Sequence, residues 1–183
     1  MDRRTKSVCL IASLIAVFAI APQSQATADD KTSCQAFVQQ FYDWYIARAN
    51  APSGASSPLE TALKTRSDVF SPELCRQLKE DTAASAKSPG EIVGLDFDPI
   101  LNTQEQVKRY VVKQVSNKGS LFLADVYAAE GGKKSAEPDV QPELSHSNGK
   151  WQFVNFHYKV DKKSDDLLHI LKLLRDERQT NKK

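Results

Sequence analysis

Chemically versatile side chains are scarce in this chain of 183 residues, which has three cysteines, three histidines and a single methionine, Met1. Imidazole is the usual general base and a common metal ligand. No pair among His146, His157 and His169 shows a metal-ligand spacing, and none lies in a recognisable nucleophile motif. A histidine-based hydrolase, a bound metal and a cofactor are therefore not expected. The apolar run Val8 to Ala21 has 14 residues with one polar interruption, Ser13. That is too short for a membrane span, which needs roughly 20. Charge of one sign is also missing, as the whole chain carries a formal net charge of only +2.

What is present begins with a leader. Arg3, Arg4 and Lys6 precede the apolar run, and the small-residue sites Ser24-Gln25-Ala26 and Ala26-Thr27-Ala28 follow it. This order predicts a signal peptide over residues 1–28, cleaved after Ala26 or Ala28, and a soluble exported protein in the periplasm. Cys9 stands at the start of the apolar run, behind Lys6-Ser7-Val8, which does not suit lipid attachment, so no membrane anchor is expected after cleavage. Arg3, Arg4 and Lys6 come off the 25 basic residues and Asp2 off the 23 acidic ones, leaving 22 of each in a mature chain of 155 residues. A formally neutral domain has no global attraction for nucleic acid or anionic lipid. The basic tail Arg178, Lys182, Lys183 is a local excess. Cys34 and Cys75 remain after cleavage, and in an oxidising compartment they predict a disulfide. It would close a loop of about 42 residues and contribute roughly 4 kcal/mol at best.

The mature sequence changes period halfway. Cys34, Phe37, Val38, Phe41, Trp44 and Tyr45 recur at helical steps, which predicts a helix over 33–48 capped by Thr32 with Gln35. Ser57-Pro58 and Ser71-Pro72 each place a hydroxyl cap before a proline, predicting two further helices, the second ending near Ala86. After Ser88-Pro89-Gly90 the pattern becomes strand-like: Val107 to Val115, Leu121 to Ala129, and Val140 to His146, where Pro142 suggests an edge strand. Lys118-Gly119 reads as a hairpin turn, Gly131-Gly132 as a loop, and Asn148-Gly149 as a strong hairpin into Lys150 to Val160. In that last strand a bulge at Val154 or Asn155 would put Trp151, Phe153, Phe156 and Tyr158 on one side. Ser164 is the expected cap of a final helix, whose Leu167, Leu168, Ile170, Leu171, Leu173 and Leu174 form a broad apolar stripe.

Helices, then antiparallel strands, then a helix give an α+β class, with N-terminal helices packed on a curved antiparallel sheet. The expected layout is a leader over 1–28, an α+β domain over 29–160, and an amphipathic helix with a basic tail over 161–183. Phe41-Tyr42-Asp43-Trp44-Tyr45, Ser71-Pro72-Glu73-Leu74, Leu95-Asp96-Phe97-Asp98-Pro99-Ile100-Leu101-Asn102 with Gln104-Glu105, and Gly149-Lys150-Trp151-Gln152-Phe153 with Phe156-His157-Tyr158 are diffuse motifs spanning Cys34 to Tyr158. Together they resemble the domain of unknown function 3828 family, a group of exported bacterial proteins. The resemblance implies a cone of the nuclear transport factor 2-like kind and no established reaction.

Candidate sites follow from residue type and face. Asp125 shares a strand face with Leu121, Leu123 and Tyr127, where an acid is costly unless paired. With Tyr45 it makes the sharpest catalytic candidate, a carboxylate base and a donor for isomerase or lyase chemistry. Trp44, Tyr45, Trp151 and Tyr158 are candidates to line a ligand cleft, and Leu168 and Leu173 to meet a partner, either an envelope protein or a second copy in a homodimer. Asp96 and Asp98 with Asn102 and Glu105 offer oxygens, but read as a turn whose acids cap the following backbone. The leading expectation is a non-catalytic periplasmic protein that binds a protein partner or small ligand. The alternatives are a pocket isomerase or lyase and an immunity protein against a periplasmic toxin.

Overall fold

Among the described residues, three α-helices precede the sheet. The computed structural model describes residues 28–51, 56–88, 90, 93–104, 108–129, 136–160 and 163–180. Helix α1 spans Ala28–Ala49 and buries Cys34, Val38, Phe41, Tyr42, Tyr45 and Ile46 along one stripe. Its start corrects the expected cap: Thr32 lies inside the helix, where its hydroxyl donates to the Ala28 carbonyl at 3.1 Å. Gln35 reaches instead to the sheet. The remainder of the expected leader, residues 1–27, lies outside the described residues, as do Glu105, Val107, Gly131, Gly132, Lys182 and Lys183. Helix α2, Pro58–Thr65, has the full capping box, with Ser57 Oγ accepting from the Glu60 amide and the Glu60 carboxylate from the Ser57 amide. Helix α3, Pro72–Lys87, starts on Ser71, whose Oγ accepts from the Leu74 amide.

Five strands follow as an antiparallel meander in chain order: β1 Tyr110–Lys118, β2 Leu121–Ala128, β3 Gln141–Ser147, β4 Lys150–Val160 and β5 Lys163–Asp166. The β3–β4 hairpin turns on Asn148 and Gly149 at φ 53° and 71°, both left-handed, as a turn matching the strand twist requires. The expected edge position of β3 is corrected, since β3 is the central strand. It tolerates Pro142 because its ladder with β2 is short: only Phe122–Leu144 and Leu123–Glu143 pair, and the strands meet again at a lone Val126–Val140 bridge. Opposite the other edge, Glu143 faces Asn155 while Leu144 faces Phe153, so Val154 is the extra residue of a bulge. Phe153, Phe156 and Tyr158 are buried and Trp151 is half-buried.

The end of the chain departs from expectation. The expected helix start at Ser164 is corrected: Ser164 lies in β5, which pairs with the last residues of β4. The final helix α4, Leu167–Thr180, starts on Asp166, whose Oδ1 accepts from the His169 amide at 3.1 Å.

The helices cover one face of the sheet, α1 on β1 and β2, α3 and α4 on β4. Between the layers Phe41, Phe70, Phe153 and Phe156 stack at centroid separations of 4.8 Å (Phe41–Phe153) and 5.2 Å (Phe153–Phe156), with Phe70 edge-on to Phe41. Cys34 and Cys75 are two separate buried thiols, which corrects the expected disulfide. Their helices serve different parts of the sheet, and each cysteine packs as a small apolar side chain. Helix α1 also closes an edge. Gln39 accepts from the Val112 amide and donates to the Tyr110 carbonyl, while Gln35 donates to the Val112 carbonyl, so two side chains satisfy part of the backbone of edge strand β1.

Candidate functional site

The segment 93–104 between α3 and β1 organises a buried cluster of polar groups. Asp98 folds it into a turn: Oδ1 accepts from the Ile100 and Leu101 amides at 2.9 and 3.1 Å, and the Asp98 carbonyl accepts from the Asn102 amide at 2.8 Å. Asn102, at φ 51°, suits the left-handed position that follows. The turn's outward carbonyls are taken up by tyrosines. Tyr158 donates to the Pro99 carbonyl at 2.7 Å, Tyr42 to that of Ile100 at 2.8 Å and Tyr110 to that of Leu101 at 2.7 Å. Tyr45 donates to Asp98 Oδ2 at 2.9 Å. Four phenols from one helix and two strands thus fix a single loop, satisfying buried polar groups that would otherwise destabilise the core.

These contacts shift ionisation. Burial pushes Tyr42, Tyr45 and Tyr158 well above the ordinary phenol range, helped by Asp98 in all three and by neighbouring phenols for Tyr42 and Tyr45. Asp98 itself is raised, because loss of solvent outweighs the stabilising bonds from Leu101, Tyr45 and Ile100.

A second anchor holds the other end of the segment. Asp81 of α3 is buried, and Arg178 of α4 donates to its Oδ1 at 2.6 Å and to the Val93 carbonyl at 2.8 Å. The Leu95 amide donates to Asp81 Oδ2 at 2.9 Å. Gly94 lies so close to α3 that a Cβ there would sit 2.3 Å from Ser85 Oγ and 2.8 Å from Asp81 Oδ2. The segment, α3 and the start of α2 border an open cleft of about 730 Å³, walled by Pro58, Leu59, Leu95, Phe97 and Pro99 with Ser57, Ser85, Thr103 and Gln104 among its polar groups. Its volume lies in the range of small-molecule sites.

The sequence candidates fall in several places. Tyr45 and Tyr158 are core residues that bond the turn beneath the cleft. Asp125 alternates with buried Phe122, Ala124 and Val126 and so lies on the face away from the helices, half-buried, accepting from Gln141 Nε2 at 2.7 Å. The sheet therefore separates Asp125 from Tyr45, and the pair forms no joint site. Trp44 is half-buried beneath two arginines. Trp151 stacks on His146 at 4.1 Å and meets Phe122 edge-on. Leu168 is half-buried against the core and Leu173 is exposed at 47%. His157 bonds the buried Glu143, which also pairs with Lys118, and His169 bonds Asp165.

Sequence reasoning missed Tyr42, Tyr110, Asp81 and Arg178. The first two carry a helix or strand period and no sign that their hydroxyls find carbonyls. Among the described residues no cluster of three or more His, Cys, Asp or Glu is placed to hold a metal ion, and no helix is long and apolar enough to cross a membrane. No family model, no curated protein and no solved structure matches the chain.

Proposed function

We propose that this chain is an exported, non-catalytic binding protein of the periplasm that holds a small ligand in the cleft between α2, α3 and the 93–104 segment. The supporting observation is a cleft whose floor is immobilised from both ends, by the tyrosine bonds on 99–101 and by Asp81 with Arg178, yet whose walls combine apolar surface with hydroxyls. Such preorganisation lowers the ordering cost of binding. The carboxylates of Asp81 and Asp98 are committed to the frame, which fits holding a ligand better than proton transfer to one. Export rests on the basic, apolar and small-residue order before Asp29. The nuclear transport factor 2-like cone and kinship with the domain of unknown function 3828 family belong to the same reading, supported by helices on one face of a bulged antiparallel sheet.

The test is a thermal-shift screen of metabolite fractions with a Leu59→Trp variant to fill the cleft. A fraction that raises the midpoint of the native protein saturably, and not that of the variant, supports the reading. Equal shifts in both proteins, or none, reject it. A second reading, association through α4 with an envelope protein or a second copy, is favoured by exposed Leu173. It requires that Leu173→Asp abolish an association seen by sedimentation equilibrium.

A further inference from the structure

Trp44 carries two cations. Arg48, one turn further along α1, places its guanidinium carbon 3.9 Å from the indole centroid and donates from Nη1 to the Trp44 carbonyl at 2.9 Å. Arg66, immediately after α2, places its own 4.4 Å from the same centroid. The two guanidinium carbons are thus no further apart than the sum of those distances. Neither arginine forms an ion pair with a described carboxylate, whereas Arg76 has two and Arg175 and Arg178 have one each. A guanidinium has five N–H donors, and the Trp44 carbonyl takes one of those of Arg48. Two cations on one ring repel each other, and an anion that reaches both offsets that repulsion.

We propose that Arg48 and Arg66, positioned by Trp44, form a binding site for the terminal phosphate of a small phosphomonoester. A monoester carries close to two negative charges at neutral pH and three acceptor oxygens, which matches two forked donors. A carboxylate or a phosphodiester balances only one of the two cations. The site adjoins the C-terminal end of α2, whereas the cleft takes Ser57, Pro58 and Leu59 at its start. Its existence does not depend on the cleft reading.

Isothermal titration of the purified full chain with glycerol phosphate at low salt, against matched sodium chloride, tests it. Saturable binding is expected, weaker by at least about tenfold in Arg48→Gln and in Arg66→Gln, each having lost a charge-assisted fork. Affinity also falls as pH drops from about 7.5 to about 5.5, because the phosphate loses its second charge. Arg66→Lys, which retains charge and loses the fork, serves as the variant least disturbing to α2, with its fold checked by circular dichroism. It should bind between the native protein and Arg66→Gln. The absence of saturable binding, equal binding by the arginine variants, or equal binding of dimethyl phosphate would overturn the proposal. Preference for phosphatidylglycerol vesicles over glycerol phosphate would do so as well.

Discussion

Arg178 and Asp81 stand 97 positions apart in sequence and meet at 2.6 Å, the carboxylate side chain 6% exposed and the arginine 17%. The more deeply enclosed partner is the one most harmed by being left alone. Arg178→Met strands a buried carboxylate and should cost about 3–5 kcal/mol. Asp81→Asn, which keeps an acceptor for the Leu95 amide, should cost less. Urea denaturation of both single variants and the double variant measures the difference and the coupling.

The buried phenols set the alkaline limit. Tyr42, Tyr45 and Tyr158 are raised in the folded state, so the stabilisation they confer is complete below the unfolded phenol value and is lost as pH rises beyond it. Stability should fall steeply from about pH 10 upward, and phenolate absorbance should appear together with unfolding rather than ahead of it. Tyr42→Phe, which orphans the Ile100 carbonyl, should cost about 1–2 kcal/mol at neutral pH.

Asp98 runs opposite to most structural carboxylates. Its folded value is raised, chiefly by desolvation, so its contribution is greatest when protonated and declines as pH rises above about 3.8. Asp98→Asn should therefore flatten that acid-range decline. A variant with the native pH dependence would contradict the assignment.

The thiols should behave as free and shielded. Burial pushes Cys34 up to about 12, which leaves little thiolate at neutral pH. Alkylation of the unreduced protein followed by mass mapping should leave Cys34 unmodified in the native state and label both Cys34 and Cys75 after denaturation. A protected pair in denaturant would restore the disulfide.

Gln39 shields an edge. Gln39→Leu removes both of its bonds to β1 and should cost about 1 kcal/mol, while raising light scattering on heating because Tyr110–Val112 can then pair with another chain.

Local chemistry was the legible part. The caps of Ser57 and Ser71, the Asn148-Gly149 turn and the bulge beside Asn155 are written in neighbouring residues and appear where expected. Strand β5 was invisible because Lys163-Ser164-Asp165-Asp166 has no β-branched or aromatic residue; only the edge of β4 makes it a strand. Pro142 misled because a proline is excluded from a central ladder only where its partner needs a hydrogen bond, and β2 asks for none at that point. The candidate site was least legible. The bonds from Tyr42 to Ile100 and from Arg178 to Asp81 join residues 58 and 97 positions apart, and no local pattern announces them.

The single surplus residue in β4 has a consequence for inheritance. The bulge takes Val154 out of the alternation, so Phe156 and Tyr158 point inward as they would if Asn155 followed Phe153 directly. Excising that one valine would leave both aromatics facing the core, with the phenol still holding the Pro99 carbonyl, whereas one residue inserted between Asn155 and Phe156 without a second bulge would turn both to the opposite surface. Loss of the Val154 codon should therefore be tolerated better than gain of a codon between Asn155 and Phe156.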